Sequence, residues 1–464
     1  MKFWYRLKQL ILLLGDLLLL LFSLWLAITL RNLEFTSQEK FLGNLSIFSI
    51  IFLLCLITNY INGLYDFKKI SNKKSFITIL QTSLASFLIS IATLYAIDTK
   101  NVNPKTILFL TIVIGYLLIF SWRKLYIRII SSQKLKANIL FLDYNTEVAE
   151  IIKILDKQKT LGYKVQAIID NKRATQAEKV NLPGIKIYYD NYNLEEIVKE
   201  NNIEIVVTHN DLHKEENLTQ DLYQLLFKQI KITSISNLYE SVTGRIPPSA
   251  FYKSWFLQYL SDLDKPIYNK FVRLIEFSFI VFFSIFFFIL FPFIALAIKL
   301  DSNGKIFFKQ KRFGKNGTTF WMYKFRTMYS LAKDGSAEIN GAEFAQKNDK
   351  RITKIGKLLR KTRLDELPQI INLLKGEITV IGPRPERPEI SVDLQKQMPY
   401  YNLRYVIKPG ITGWAQVQQN YTDTLETSLQ KFQYDLFYIK NRNIFLDISI
   451  LLKTINVILR AMGQ

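Results

Sequence analysis

Residues 277–298 read FSFIVFFSIFFFILFPFIALAI, an apolar run that is long enough to cross roughly 30 Å of hydrocarbon as a helix. Basic residues flank it, namely Lys270 and Arg273 before it and Lys299, Lys305, Lys309, Lys311 and Arg312 after it. Because lysine and arginine collect at the cytoplasmic ends of membrane segments, we expect both ends on one side of the membrane. Pro292 removes a backbone donor and crowds the preceding turn. The pattern predicts a re-entrant helix that breaks at Pro292, with a full membrane span as the alternative.

Four further apolar blocks precede this run, at residues 10–30, 45–61, 76–97 and 107–121. Each has about the length that a transmembrane helix needs. The basic residues between them collect at alternate connections: Lys2, Arg6 and Lys8, then Lys68, Lys69, Lys73 and Lys74, then Arg123, Lys124, Arg128, Lys134 and Lys136. This distribution predicts four membrane helices, with the N-terminus and everything after residue 136 in the cytoplasm.

The composition of the chain also indicates a membrane partner. Its 464 residues are 49% hydrophobic and carry a formal net charge of +22. The positive charge is spread over membrane flanks and the C-terminal third, and it forms no single stripe with interleaved aromatics, which argues against nucleic acid as a partner. The only cysteine, Cys55, excludes a disulfide framework, and two histidines, His209 and His213, make zinc catalysis improbable.

Between residues 138 and 235, short β-rich runs alternate with amphipathic helical ones. This alternation predicts a parallel, doubly wound sheet of the Rossmann-like type. Such sheets bind dinucleotides at the first strand-to-helix turn through closely spaced glycines, which let backbone N–H groups approach phosphate. The corresponding turn, residues 142–150, reads LDYNTEVAE and contains no glycine. We therefore predict a structural or regulatory module that does not bind a dinucleotide.

An adjacent acidic pair, Asp365 and Glu366, lies in the segment LDELPQIINLLKGE. Asp365 is placed to cap a helix that carries Pro368 in its first turn and ends near Lys375 and Gly376. The helix N-terminus and the nearby cations Arg360, Lys361 and Arg363 are expected to keep Asp365 ionised and to attract an anion. The simpler interpretation is that both acids only stabilise the start of the helix.

The stretch GPRPERPE follows, and Pro383 and Pro385 stiffen the backbone on either side of Arg384. The planar guanidinium of arginine suits bidentate contact with phosphate. Upstream, basic residues alternate with aromatics in strand-like runs: Lys309, Lys311, Arg312, Lys324 and Arg326. A carboxylate pair among such cations predicts a site for phosphoryl transfer.

These segments together resemble the polyprenyl-phosphate hexose-1-phosphate transferases, the monotopic phosphoglycosyl transferases that begin exopolysaccharide, capsule and O-antigen synthesis. The residues that carry the resemblance are TGRIP (243–247), SWFL (254–257), YKFRTM (323–328), LDELPQ (364–369), IGPRP (381–385), PGITGWAQV (409–417) and YDLFYIKN (434–441). The resemblance implies a membrane protein of α plus α/β class. Its parts would be a four-helix transmembrane bundle (1–136), a Rossmann-like parallel-sheet module (137–250), and a re-entrant helix with a mainly helical monotopic catalytic domain (265–464).

The resemblance also implies a two-step reaction. Asp365 would attack the sugar-bearing phosphorus of a UDP-sugar and expel UMP, and undecaprenyl phosphate would then take the sugar phosphate from the protein. Glu366 would hold Mg²⁺. Phosphate contacts would come from Arg360, Arg384, Lys324, Arg326 and Arg312. Glu276 stands where family members more often have Asp at the start of the re-entrant helix, in a capping or orienting role.

The expected location is the inner membrane of a bacterium, with the catalytic domain on the cytoplasmic face. An amphipathic stretch at residues 445–462 would help to rest that domain on the bilayer. The larger family members suggest a homodimer. Glucose and galactose are the expected sugars, with N-acetylated or modified hexoses as alternatives.

Two rival functions are weighed against this one. A membrane-anchored nucleotide-sugar dehydratase would need an NAD-binding domain, and the Y-x-x-x-K pair Tyr329 and Lys333 has the spacing of a dehydrogenase base but no accompanying glycine motif. A regulatory scaffold without enzymatic activity would not need the acidic pair and its arginines.

Overall fold

The computed structural model describes residues 2–66, 75–97, 105–132, 136–170, 184–189, 192–208, 216–260, 265–331, 349–419 and 424–459. It divides into two compact units, Met1–Thr243 and Gly244–Gln464. Some residues named above lie outside the described parts: Lys68, Lys69, Lys73, Lys74, Lys134, His209, His213 and Lys333. The finer division into three domains stays a prediction.

The first unit begins with four long helices, α1 (Lys2–Asn32), α2 (Gln38–Ile61), α3 (Ser75–Ala96) and α4 (Lys105–Ile130). Together with one helix of the second unit they are long and apolar enough to cross a membrane. Leucine, isoleucine and phenylalanine side chains fill the space between them, while other large apolar side chains point outward: Leu18, Leu53, Leu84 and Leu117. Outward apolar surface suits contact with lipid, so the four predicted membrane segments are confirmed as long apolar helices of a membrane protein.

A buried polar network ties the four helices together. Asp16 of α1 accepts hydrogen bonds through Oδ2 from Arg123 Nη2 of α4 at 2.5 Å and from the Tyr65 hydroxyl at 2.9 Å. The network continues from Asn59 of α2 through Tyr116 of α4 to Ser86 of α3. Ionisable groups inside a membrane bundle are costly unless they are paired. The Asp16–Arg123 pair therefore fixes how α1 and α4 lie against each other.

A five-stranded parallel sheet follows in the same unit. Its elements are β1 (Ala137–Phe141), α5 (Thr146–Lys157), β2 (Tyr163–Ile169), β3 (Lys186–Tyr188), α6 (Leu194–Glu200), β4 (Ile205–Thr208), α7 (Glu216–Phe227), β5 (Lys231–Ser234) and α8 (Ile235–Thr243). The strand order is β3-β2-β1-β4-β5, and every pairing is parallel. Strands with apolar residues on both faces are covered by helices on both sides. The predicted doubly wound sheet is confirmed.

The first strand-to-helix turn of this sheet carries buried acids. Asn145 caps α5 by accepting a hydrogen bond from the Val148 amide. Asp143 and Glu147 on either side of the cap are both buried. The turn is therefore built from buried polar side chains and carries no glycine. The structural or regulatory role of the module stays a prediction.

The second unit contains the helices α9 (Lys253–Leu260) and α10 (Pro266–Asp301), the latter being 36 residues long. The prediction that α10 breaks at Pro292 is wrong, because the helix continues through the proline. Proline removes only its own backbone donor, and buried side chains on both sides of it, Phe287 and Ile294, hold the helix against the rest of the unit. On which side of the membrane each end of α10 lies stays a prediction.

An antiparallel hairpin, β6 (Phe307–Phe313) and β7 (Thr319–Phe325), packs on α10. Phe307 stacks on Phe291 of α10 with ring centroids 5.6 Å apart, and it also stacks on Phe325 across the hairpin. The opposite side of α10 exposes Phe288, Phe293, Leu296 and Leu300. The hairpin is thereby attached to one face of an apolar helix whose other face is left for lipid.

Short elements complete the unit, and most of them are helical. They are α11 (Lys354–Thr362), a 3₁₀ turn (Leu364–Gln369), α12 (Ile370–Leu374), β8 (Thr379–Ile381), α13 (Pro388–Gln397), β9 (Gly410–Thr412), α14 (Trp414–Gln418), α15 (Leu425–Asn441) and α16 (Ile444–Leu459). β8 and β9 form a parallel pair. α16 covers most of the stretch predicted to be amphipathic, and it buries Ile450 while exposing Phe445, Ile448, Ile455, Ile458 and Leu459.

Replacing Arg123 by Leu is expected to destabilise the bundle by about 3 to 5 kcal/mol, because Asp16 would remain buried without its counter-charge. Adding Asp16→Asn to Arg123→Leu removes that charge and should recover most of the loss. Thermal unfolding of the purified full-length protein in detergent measures both effects. An Arg123→Leu variant as stable as the wild type would show that the pair does not hold the bundle.

Candidate active site

The acidic pair lies in the 3₁₀ turn between α11 and α12. Arg363, which ends α11, adopts a left-handed backbone with φ 60° and turns the chain sharply before Leu364. The predicted capping role of Asp365 is therefore wrong: the residue sits inside the turn, and the cap position belongs to Arg363. Asp365 Oδ1 is buried and accepts no hydrogen bond from the described residues. The predicted end of the helix is confirmed, since α12 stops at Leu374 and Gly376 has a positive φ.

Glu366, and not Asp365, makes direct contacts with the cations. Its Oε1 accepts hydrogen bonds from Lys324 Nζ and from Arg384 Nη2, each at 2.9 Å, and Arg363 Nη1 lies 4.0 Å away. The Glu366 side chain is only 12% exposed. This carboxylate thus joins three separate segments: strand β7, the 3₁₀ turn and the proline-flanked loop that carries Arg384.

The two adjacent carboxyls have pKa values shifted in opposite directions. Burial raises the pKa of Asp365, and Lys324 opposes that rise. Burial also acts to raise the pKa of Glu366, but Lys324 and Arg384 lower it well below its usual range. The expectation that the helix N-terminus and the nearby cations keep Asp365 ionised stays a prediction, and the structure adds that burial acts against this ionisation. The sequence revealed the cations but not the desolvation of the carboxyl.

Arg360 lies on the Asp365 side of the site. Its Nε donates to the Thr327 hydroxyl at 2.9 Å, and burial lowers its pKa while the charge of Asp365 opposes that shift. α11 can come this close to Thr327 because of Gly356, where a Cβ would lie 2.0 Å from the Thr327 carbonyl oxygen. Lys361, the next residue in α11, is exposed. Of these two neighbouring cations, Arg360 is therefore the one that faces the site.

Arg384 is held in place by a buried cluster of charges. Arg404 donates through Nη2 to the Arg384 carbonyl at 3.0 Å and to Asp435 Oδ2 at 2.7 Å. Arg404 also pairs with Glu386, which in turn accepts from Lys431. Burial acts to raise the pKa of Glu386, but Lys431 and Arg404 lower it well below its usual range. Sequence reasoning missed this cluster, although Glu386 directly follows the PRP segment and Asp435 lies in YDLFYIKN.

Two of the predicted phosphate contacts have other partners. Arg312 donates to the Pro385 carbonyl at 3.1 Å and to Gln310, and burial lowers its pKa to about 10. It therefore supports the loop of Arg384. Arg326 donates to carbonyl groups at the end of α10, those of Ile298, Ser302 and Asn303. The prediction that Arg326 contacts an anion is corrected. Its guanidinium caps α10, because aligned carbonyls at a helix C-terminus attract cations.

Lys309 and Lys311 lie on the other face of the hairpin from Lys324. In the strand register, Lys309 pairs with Tyr323 and Lys311 with Trp321, whereas Lys324 pairs with Phe308. Each of the two lysines stacks over its aromatic partner at 5.1 and 5.4 Å. The predicted cluster of cations is therefore split by the pleat of the strands, and only Lys324 and Arg312 face the acidic pair.

Glu276 does not begin a helix. It lies inside α10, which starts at Pro266, and it accepts a hydrogen bond from Thr379 of β8. The capping role is therefore wrong, and the contact with β8 is compatible with an orienting one.

Proteins commonly hold Mg²⁺ through one or two carboxylates together with substrate phosphates, and the acidic pair offers such carboxylates. Asp365 and Glu366 supply two adjacent carboxyls, and Asp365 Oδ1 is buried without a partner in the described parts of the chain. Within those same parts, no group of three or more His, Cys, Asp or Glu side chains could hold a metal ion. The residues thus fit a Mg²⁺ whose remaining ligands are substrate oxygens and water.

Comparison with known proteins shows to which family and which relatives the chain is similar. The sequence pattern described as "Bacterial sugar transferase" matches residues 267–461. The UDP-N-acetylgalactosamine-undecaprenyl-phosphate N-acetylgalactosaminephosphotransferase of Aeromonas hydrophila is 38% identical over 234 residues, which are 50% of this chain and 53% of the relative. The UDP-glucose:undecaprenyl-phosphate glucose-1-phosphate transferase of Escherichia coli (strain K12) is 41% identical over 164 residues, 35% of this chain and 34% of the relative.

A shorter relative is matched over most of its length. The exopolysaccharide production protein PSS of Rhizobium leguminosarum bv. phaseoli is 38% identical over 168 residues, which are 35% of this chain and 82% of that protein. The matching stretch thus spans about half or less of the longer relatives but most of the short one. Because the pattern matches residues 267–461, which contain the acidic site, and the Rhizobium protein is matched over 82% of its length at 38% identity, the chain belongs to the bacterial sugar transferase family.

Proposed function

We propose that this protein transfers a hexose-1-phosphate from a UDP-sugar to undecaprenyl phosphate, giving undecaprenyl-diphosphate-sugar and UMP. The observation that carries the proposal is the buried acidic pair with four cations around it: Lys324, Arg360, Arg363 and Arg384. This pair lies in residues 267–461, which match the bacterial sugar transferase pattern, and two relatives of the chain are named as sugar-phosphate transferases. The product would be the first membrane-bound intermediate of exopolysaccharide, capsule or O-antigen synthesis.

In the first step, an Asp365 carboxylate oxygen attacks the phosphorus that bears the sugar. A P–O bond forms to Asp365, the P–O bond to UMP breaks, and UMP leaves with the electron pair. The attacking group is already a carboxylate and the leaving group is a phosphate, so neither needs a proton transfer in the same step. The protein's task is to hold the diphosphate in line with Asp365 and to neutralise its oxygens.

In the second step, an oxygen of undecaprenyl phosphate attacks the same phosphorus. The bond to Asp365 breaks and the aspartate carboxylate is restored, which leaves the sugar diphosphate on the lipid. Splitting the transfer in this way lets a water-soluble donor and a membrane-bound acceptor use one site in turn. The exposed apolar faces of α10 and α16 support a site that lies at the depth of the lipid phosphate.

The surrounding cations have distinct tasks in this proposal. Lys324 and Arg384, which both contact Glu366, would neutralise the oxygens of the diphosphate. Arg360 faces Asp365. Glu366 would hold a Mg²⁺, which supplies positive charge to the diphosphate and to the departing UMP. Glu366 also keeps Lys324 and Arg384 together before the substrate arrives.

The setting of the reaction is proposed from the charges that flank the apolar helices. Arg273 lies in the first turns of α10, Lys299 lies in its last turn and Lys305 follows it, which favours both ends on the cytoplasmic side of the bacterial inner membrane, where nucleotide sugars are supplied. Since α10 is unbroken at Pro292, both ends lie on that side when the helix rests in the membrane surface on its exposed apolar face without crossing. The homodimer stays a prediction. Because the relatives are named for glucose and for N-acetylgalactosamine, the sugar is left to experiment.

UMP release from a panel of UDP-sugars, measured with the purified full-length protein and undecaprenyl phosphate, tests the function. We expect one hexose to be strongly preferred. A dehydratase would give a nicotinamide signal without UMP, and a regulatory scaffold would give neither product.

Replacing Asp365 by Asn is expected to lower transfer by at least about 10³-fold and to abolish trapping of labelled sugar phosphate on the protein, because the nucleophile is lost. Glu366→Gln is the companion variant, and it should chiefly impair metal-dependent turnover. Mass spectrometry of protein quenched after mixing with the UDP-sugar detects the adduct. An adduct that persists in Asp365→Asn would exclude Asp365 as the nucleophile.

Replacing Arg360 by Gln is expected to move the acidic limb of the pH profile of kcat/KM to higher pH. The attacking form of Asp365 is deprotonated, burial raises its pKa, and Arg360 partly offsets that rise. Removing Arg360 therefore raises the pKa of Asp365 further, so activity is lost at a higher pH on acidification. Lys361→Gln removes the same charge from an exposed neighbouring position and should leave the limb unchanged. An unmoved limb in Arg360→Gln would contradict the assigned electrostatics.

A further inference from the structure

Asn372 of α12 is completely buried, and its amide bridges to strand β7. Its Oδ1 accepts a hydrogen bond from the Tyr323 amide at 3.1 Å, and its Nδ2 donates to the Trp321 carbonyl at 2.7 Å. The same Nδ2 donates to Glu377 Oε2 at 2.6 Å. Since the backbone N–H can only donate and the carbonyl can only accept, these partners fix which way the amide points.

The Asn372 amide makes the kind of hydrogen bonds that the backbone of a neighbouring strand would make with β7. Trp321 and Tyr323 pair with Lys311 and Lys309 of β6 in the hairpin, and an antiparallel strand presents further backbone groups on its other edge. One side-chain amide satisfies an N–H and a C=O on that edge. Asn372 therefore fixes β7 against α12 both along the strand and across it.

The position of this bridge in the chain connects it to the site. Lys324 directly follows Tyr323, and its Nζ reaches Glu366 Oε1 at 2.9 Å. Glu366 itself lies in the 3₁₀ turn that runs straight into α12. Lys324 thus lies on β7, and Glu366 lies on the turn that leads directly into α12, the helix that Asn372 joins to β7. A slip of β7 by a fraction of a residue would therefore separate Lys324 from Glu366.

We propose that Asn372 is a positioning residue that sets Lys324 against the acidic pair; this role rests on the proposed transfer reaction. Asn372 itself touches no reacting atom. It acts through β7 by holding the Lys324 ammonium where it pairs with Glu366 and where the diphosphate oxygens would arrive.

Three substitutions separate the parts of this contact. Asn372→Ala removes all three hydrogen bonds. Asn372→Asp keeps the acceptor for the Tyr323 amide but loses both donors and places a negative charge beside Glu377. Asn372→Gln keeps all the donor and acceptor groups on a side chain that is one methylene longer, so it should recover part of the loss.

The experiment measures UMP release by the full-length protein in lipid nanodiscs. Asn372→Ala is expected to lower kcat/KM by about 10- to 100-fold, since misplacing a group by about 1 Å can cost that much. The loss should divide between kcat and KM in the same way as for Lys324→Met. Asn443→Ala, which removes a half-buried helix cap at the start of α16, is the control for a loss of stability alone and should not reproduce that division between kcat and KM.

A double-mutant cycle with Lys324→Met gives the decisive comparison. If Asn372 acts through Lys324, adding Asn372→Ala to Lys324→Met should change kcat/KM by no more than about twofold, because the positioned group is already absent. Losses that multiply would overturn the proposal and leave Asn372 with a general structural role. Should the Ala variant not fold, the same cycle with Asn372→Gln, which keeps the donor and acceptor groups but displaces them by one methylene, decides the matter.

The failure of this inference is distinguishable from the failure of the proposed function. A wild-type protein that releases no UMP from any UDP-sugar removes the function and this role with it. A wild-type protein that does release UMP, with losses that multiply in the double-mutant cycle, removes this role alone.

Discussion

The Glu366 carboxylate, held between the Lys324 ammonium and the Arg384 guanidinium, is the interaction on which the site depends. It brings together a hairpin strand, a 3₁₀ turn and a proline-flanked loop that are far apart in the chain. Burying such charges costs more than their attraction returns unless the geometry is good and the remaining groups are satisfied. The neighbourhood meets that condition: Asn372 holds the strand of Lys324, and Arg404 holds the loop of Arg384.

This arrangement makes two adjacent carboxyls chemically different. Glu366 takes the direct contacts and stays ionised, whereas Asp365 is buried with an unpartnered oxygen and a raised pKa. In the proposed reaction, the Asp365 oxygen that accepts no hydrogen bond from the described residues would be the one that attacks phosphorus. A pKa above the usual range also makes the carboxylate more basic and thus a better nucleophile. The division of roles in the proposed reaction therefore follows from which of the two acids meets the cations.

Attachment to the membrane follows from how the second unit uses its long helix. One face of α10 packs on the hairpin through stacked phenylalanines, while the opposite face leaves apolar side chains exposed. Arg326 directly follows the strand that carries Lys324, and its guanidinium joins that strand to the end of α10. The active-site strand is therefore fixed directly to an apolar helix, so the depth of that helix in the bilayer would set the depth of the site.

Local pattern in the sequence was enough to identify the apolar helices, the parallel sheet, the acidic pair and the cations near it, because hydrophobic runs and strand alternation are written in consecutive residues. Burial and long-range pairing could not be identified in this way, since they depend on which segments meet. For that reason only the tertiary structure showed that Glu366 rather than Asp365 takes the ion pairs and that Arg326 caps a helix. The helix continues through Pro292 because contacts on both sides of the proline hold it, and Asn372 and Arg404 matter because they join elements that are distant in sequence.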